Sequence, residues 1–479
     1  MGESSSSPSS IVSIPDPVEF ADGDEPPSRS PWQPSTPRHP AWAHVSESDW
    51  TNWRWQSQNA IRHPKQILDL LPFDDAERRA IETLQSQYKL AIPPYYFSLI
   101  NPTDPLDPIR LQSVPSPLEM AGVGGTDGED DPLDEDKDSP VPGLTHRYPD
   151  RALLVTTHTC TMYCRFCTRK RATMKRGGWD AVSRDDRRMI EYVREHPEIH
   201  DVIISGGDPL TLPLEKLAFF VENLDAIPHL DVIRIGTRVP VTLPQKLDDD
   251  ELLSVLGRSE KIWIQTHFNH PREVTPEARH ACDRLRHRGM PVNNHAVLLK
   301  GVNDDLEIQR SLCRALLRIK VRPYYLFHCD PVTGAGHFRT PVWTGIEIIE
   351  GLRGHISGLG VPTYVVDAPR GGGKIPLMPN YLVSAGKESV VLRNYEGMLI
   401  NYHPTGDQPS PPAHTETQGV SALLAGQNEV LVPEGTPRLA RRKARAQGNP
   451  SDGPGPTKGS RAHGNGAGND HGKTRGPGL

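Results

Sequence analysis

Three of the six cysteines, Cys160, Cys164 and Cys167, fall within the eight-residue stretch CTMYCRFC. Thiolates crowded like this, in a chain without the cysteine density of a disulfide framework, bind metal. A structural zinc takes four ligands, usually as two separated pairs, and here only His158 stands by to complete a set. An iron–sulfur cluster takes one cysteine per iron, so three cysteines leave one iron without a protein ligand. That iron can be chelated by the amino and carboxylate groups of a small molecule and can pass an electron into it. A second stretch, DAPRGGGKIP at 367–376, sets Lys374 behind three glycines. Glycine admits positive φ and close approach of the backbone to a ligand, and a lysine held there can form a Schiff base or grip a phosphate. The glycine spacing is not that of a P-loop.

The elements that must hold these residues begin at residue 150. Short β-branched runs appear at 152–157, 201–206, 231–236, 261–266, 292–299, 322–327 and 362–367, and amphipathic stretches of helical length lie between them. Most strand starts lie about thirty residues apart, the length of one βα unit. The pattern predicts an α/β fold, a partial parallel (β/α) barrel of the TIM-like kind. Each run ends in unusual chemistry: the cysteines, then GGDP, TRVP, THFNH, HCD and DAPRGGGK. In such barrels the loops after the strands build the active site. The cysteines and Lys374 are therefore expected at one mouth.

The chain has 479 residues with 48 prolines, 41 glycines and only 35% hydrophobic residues, so part of it is expected to stay unfolded. The composition divides it into a disordered tail at 1–44, a helical region with an acidic loop at 45–144, the barrel at 145–370, the lysine segment at 371–403 and a basic, Gly/Pro-rich disordered tail at 404–479. The eight acidic residues between 127 and 138 read as a solvated surface loop. A net charge of −6 gives no general bias toward nucleic acid, and the basic tail has no interleaved aromatics for base stacking. No apolar run is long enough for a membrane span and no secretory signal opens the chain, so a cytoplasmic protein is expected.

Taken together, THRYPDR (145–151), CTMYCRFCTRKR (160–171), SGGDPL (205–210), RPYYLFHCD (322–330), GHFRTPV (336–342), VVDAPRGGGK (365–374) and VLRNYEG (391–397) resemble the lysine 2,3-aminomutase family of the radical S-adenosylmethionine superfamily. The resemblance implies an isomerase that interconverts L-lysine and β-lysine with a [4Fe–4S] cluster, S-adenosylmethionine, pyridoxal phosphate and an unidentified electron donor. It implies that Cys160, Cys164 and Cys167 hold the cluster. It places Phe166, Ser205, Gly206, Gly207 and Asp208 at S-adenosylmethionine, and Lys374, Arg147 and Arg151 at pyridoxal phosphate. It gives the substrate carboxylate to Arg169 and the distal ammonium to Asp330 and Asp367. Two carboxylates converging in a closed pocket independently call for a cationic guest. Arginine would satisfy them as well as lysine. A metal-binding protein without pyridoxal phosphate chemistry is the reading from a different class, and it leaves Lys374 without a role. The chain departs from the family at Phe166, where His is usual, and at Arg370, where Gly is usual. Asp305 replaces a cysteine and none follows Cys329. No structural zinc is therefore expected, and the oligomeric state is left open.

Overall fold

The computed structural model describes residues 37–120, 128–175, 185–385, 389–403, 423, 425–427 and 437–447. Most of both tails expected to be disordered lies outside the described residues. Seven strands run parallel in chain order: β2 (Arg151–Thr157), β3 (Asp201–Gly206), β4 (Val232–Gly236), β5 (Ile262–Thr266), β6 (Val292–Leu298), β7 (Arg322–His328) and β8 (Thr363–Ala368). They are the seven apolar runs read from the sequence. Two further strands flank them, each antiparallel to its neighbour: β1 (Leu144–Tyr148) beside β2, and β9 (Gly373–Pro376) beside β8. The order is strictly sequential from β1 to β9, and no ladder joins the two ends. The open seam is spanned instead by a side chain, since Lys374 N–H donates to the Tyr148 hydroxyl at 2.8 Å.

Alternation along each strand decides what faces what. Val202, Ile204, Ile233, Ile235, Ile264 and Leu326 are buried among apolar neighbours. Their alternates, including Ser205, Arg234, Gln265, His295 and Phe327, line an internal cavity. The amphipathic stretches form the expected helices: α2 (Asp186–Glu195), α3 (Leu214–Asp225), α4 (Asp250–Leu256), α5 (Pro276–His287), α6 (Leu306–Arg318) and α7 (Val342–Leu352). Four of them, α2, α4, α5 and α6, start on a capping side chain; Asp305, for example, accepts from the N–H groups of Glu307 and Ile308 at 2.8 and 3.1 Å. The longest N-terminal helix, α1 (Asp75–Gln87), begins in a capping box between Asp74 and Glu77. Trp50, Tyr95, Tyr96 and Phe97 from this region share one core with the barrel strands. Cys282, Cys313 and Cys329 are buried packing residues.

Two stretches differ from the sequence reading. Pro437–Gln447, within the tail expected to be disordered, forms helix α8. It is anchored by charge, with Arg442 Nε donating to Asp138 Oδ1 at 2.7 Å and Arg438 bonding the Gly371 carbonyl. The acidic run is likewise no freely solvated loop, because Asp130, Asp131, Glu135, Asp136 and Asp138 are all paired with cations. A small antiparallel sheet of β10 (Leu382–Ala385), β11 (Val390–Arg393) and β12 (Leu399–Tyr402) follows the barrel. No helix among the described residues is long and apolar enough to cross a membrane.

The contact between α7 and β8 is testable. Gly345 lies directly against the ring of Tyr364, which is fully buried and cannot swing aside. Gly345→Ala should destabilise the protein by about 1–3 kcal/mol despite better helix propensity, read as a lower urea midpoint.

Candidate active site

A cavity of about 370 Å³ opens at the C-terminal ends of the strands. All fourteen site residues singled out from the sequence line it, from Arg147 on β1 to Lys374 on β9.

The loop after β2 brings Cys160, Cys164 and Cys167 to one wall as free thiols. Burial, then the neighbouring cysteines, pushes the Cys160 and Cys167 thiols up. Among the described residues, no three His, Cys, Asp or Glu side chains converge tightly enough to hold a single ion. The loop is pinned from beneath by Glu119, whose carboxylate takes two bonds from Arg165 at 2.8 and 2.6 Å and one from Lys170 at 2.8 Å. All three are buried. Burial alone would raise the Glu119 pKa, but Arg165 and Lys170 outweigh it and hold the carboxyl down to about 2. Lys170 is pushed down by burial, with Glu119 pulling it up and Arg165 pressing it down. One carboxylate serving two cations explains why the partners move in this way.

The glycines of SGGDP have a structural reason to be glycine. Gly206 sits at φ +120°, and a Cβ on either Gly206 or Gly207 would collide with the Thr157 or Thr159 carbonyl. Gly207 N–H donates to Thr157 O at 2.6 Å and Asp208 N–H to Thr159 O at 2.8 Å. These two donors are spent on stitching the element to the cysteine loop. Asp208 is buried and accepts from Thr237 Oγ1 at 2.7 Å and from the N–H groups of Arg238 and Leu210 at 2.8 and 3.1 Å. It ties the ends of β3 and β4 together. Phe166 stacks on His267 with ring centroids 5.6 Å apart.

Across the cavity, Lys374 Nζ lies 2.7 and 2.9 Å from the two oxygens of Asp367. Gly371 and Gly373, at φ +76° and +80°, and Arg370, at +58°, make the turn that carries the lysine back across the mouth. Asp330 accepts from Thr168 Oγ1 at 2.6 Å. Burial, opposed by that bond and reinforced by Asp367, raises the Asp330 pKa to about 6. Arg169 forms a two-point pair with Glu135 at 2.7 and 3.1 Å, and Arg147 donates to Asp138 at 2.9 Å. Arg151 lies over the Tyr148 ring at 4.9 Å. The acidic run is thus a strap matched to the basic residues of the mouth.

Regions matching two family models cover the core of this arrangement, the radical SAM superfamily over residues 154–310 and lysine-2,3-aminomutase over 349–454. An L-lysine 2,3-aminomutase of Acetoanaerobium sticklandii is 46% identical over 407 residues, covering 83% of this chain and 97% of its own. The chain belongs to the lysine 2,3-aminomutase family. An L-lysine 2,3-aminomutase of Clostridium subterminale is 45% identical over 84% of this chain and 98% of its own length. A glutamate 2,3-aminomutase of Clostridioides difficile is 43% identical over 74% of this chain and 83% of its own. As an aminomutase the protein is an isomerase, and its cofactors are a [4Fe–4S] cluster, S-adenosylmethionine and pyridoxal phosphate. The cavity's chemistry fits them: three free thiols on one wall, a stacked aromatic pair beside them, and a primary amine near two arginines opposite.

Sequence reasoning missed several lining residues of this aminomutase. His267 and His295 lie on the wall between the cysteines and Lys374. Burial, then Arg238, holds His267 well below the usual histidine range, and burial, then Lys374, holds His295 at about 4, so both are neutral at pH 7. The strand-end stretch THFNH marked His267, but nothing in VNNHAVLL separates His295 from a packing residue. Glu119 and Glu135 carried no signal, since their partners are remote in sequence.

Glu119→Gln should cost about 3–5 kcal/mol by leaving Arg165 and Lys170 short of a counter-charge. Because the folded-state pKa of Glu119 lies below its ordinary 4.5, its contribution is full above pH 4.5 and is lost as the pH falls toward 2. Urea unfolding of the cluster-free protein should show that acid-side loss in the native chain and a shallower one in Glu119→Gln.

Proposed function

We propose that this chain interconverts L-lysine and β-lysine by moving the amino group between the α- and β-carbons. The observation that carries the reading is a cavity with a guanidinium, Arg169, for an α-carboxylate and two coupled carboxylates, Asp330 and Asp367, for a distal ammonium. In this reading Cys160, Cys164 and Cys167 hold the cluster, and Phe166 with the SGGDP element, Ser205 to Asp208, flanks S-adenosylmethionine. Arg147 and Arg151 serve the phosphate of pyridoxal phosphate, and the Lys374 amine anchors its carbonyl end. When bound, the cluster with S-adenosylmethionine supplies hydrogen-atom chemistry, and pyridoxal phosphate supplies the carbonyl that carries the amino group. The protein's own residues orient and exclude. With Lys374 engaged, Asp367 loses its cation and, with Asp330, takes the substrate ammonium in its place. Glu135 yields Arg169 to the incoming carboxylate. The aromatic side chains of β7 and the neutral histidines keep other charges and water from the reacting carbons.

The name of the Clostridioides difficile relative makes glutamate the natural comparison. Its side-chain carboxylate would meet Asp330 and Asp367 with repulsion, which favours a cationic substrate here. The free thiols suit a reducing, cytoplasmic compartment.

The test is product analysis by mass spectrometry after anaerobic reconstitution with iron, sulfide, pyridoxal phosphate, S-adenosylmethionine and a reductant. β-Lysine should form from L-lysine in the native protein and not in Lys374→Ala, which should also fail to retain pyridoxal phosphate. Accumulation of 5′-deoxyadenosine without β-lysine would refute lysine as the substrate and move the assay to arginine. Asp330→Asn and Asp367→Asn should each raise KM for lysine by about 30-fold or more.

The same site predicts a pH dependence. Asp330 is ionised only above its raised pKa of about 6, so KM for lysine should rise as the pH falls through 6. In Asp330→Asn that limb should vanish.

A further inference from the structure

Arg238 follows β4 in the TRVP stretch and has no part in the chemistry described above. Its side chain is buried at the cavity wall and all three of its nitrogens are engaged. Nη1 donates to Cys164 Sγ at 2.8 Å. Nη2 donates to Gln112 Oε1 and Glu273 Oε1, both at 2.7 Å, and Nε donates to the His267 carbonyl at 3.1 Å. Glu273 is fully buried and is itself held by the Tyr96 hydroxyl at 2.7 Å and by the N–H groups of Asn269 and His270 at 2.6 and 2.9 Å. The backbone N–H of Arg238 donates to Asp208. The guanidinium is therefore fixed from one side by an anchored carboxylate and aimed from the other at a cysteine sulfur.

A guanidinium keeps its charge at every working pH, and a buried charge acts through a low dielectric. Hydrogen bonds to the cysteine sulfurs and nearby charge are among the levers that set the potential of an iron–sulfur cluster. Reduction by an external one-electron reductant adds one negative charge to the cluster and takes up no proton. A cation touching a ligand sulfur stabilises the reduced state more than the oxidised one, and an anion behind that cation moderates the effect.

The geometry points to Arg238 as a positioning residue that aims a fixed charge and an N–H at the Cys164 sulfur and so raises the reduction potential of the cluster, with Glu273 as the counter-charge that limits the rise. This rests on Cys164 as a cluster ligand.

The experiment is a redox titration of the reconstituted protein, following the electron paramagnetic resonance signal of the reduced cluster. The midpoint should fall in Arg238→Gln and fall less in Arg238→Lys, which keeps the charge but not the fork. In Glu273→Gln, which keeps an acceptor oxygen for Arg238 and removes the anion, it should rise. Opposite signs separate an electrostatic role from general loosening, which would move both variants the same way. A shift of the same sign in both variants, or no rise in Glu273→Gln, overturns the inference. Should Arg238→Gln fail to fold, Glu273→Gln decides alone. Cys164→Ala should lose cluster iron; full iron content in that variant would instead refute the ligand assignment, a failure that is read separately from the midpoints.

Discussion

Successive side chains of a strand point to opposite faces, so a sheet curled around a hollow sends half its residues outward to helices and half inward to what it encloses. That constraint organises this molecule. Ile204 and Ile235 belong to the outer set, while Ser205 and Arg234, one position away, belong to the inner one. A one-residue slip of β4 would bury a guanidinium among the helices and put isoleucines in the cavity. The identity of the wall follows from the register of the parallel ladders, and the register follows from the apolar set.

The enclosed space is heavily charged, and its order comes from matching. Each buried or half-buried cation that faces the mouth has an anion assigned to it: Arg169 to Glu135, Arg147 to Asp138, Arg171 to Asp131 and Asp136, and Lys374 to Asp367. Asp330 has no such close ion pair and is held by the Thr168 hydroxyl; burial, reinforced by Asp367, makes it hold its proton more tightly than an ordinary carboxyl. The polar groups beneath the cysteine loop follow the same rule, with Glu119 beneath it and Glu273 behind it. The cysteine loop is thus backed by buried ion pairs, one beneath it and one at the cavity wall.

Most of this was legible in the sequence because short apolar runs and strand-end motifs are local signals. Runs such as DVIISG and KIWIQT announced their strands, and the motifs after them marked the mouth. What was not legible is long-range pairing. The acidic run at 127–138 reads as solvated because Arg169 and Arg171 lie 34 and 35 residues from their partners, and only the folded barrel brings them into register with it. Helix α8, with the sequence PRLARRKARAQ, carries Leu439 as its one large apolar residue and is held by Arg438 and Arg442 on Asp138, so no apolar run marked it. β1 and β9 were hidden inside THRYPDR and GGGKIP, which read as motifs before they read as strands.

The seam between β1 and β9 orders events during synthesis. The thiols leave the ribosome long before Lys374 does, and the bond that spans the seam joins Tyr148 to a residue 226 positions later. Contacts of such sequence separation are slow to form, because the loop they close must be ordered first. Until this one forms, the growing chain displays three oxidisable sulfurs with no amine across from them. The two ends of the chemistry become one compartment only when the last strand of the barrel reaches the first.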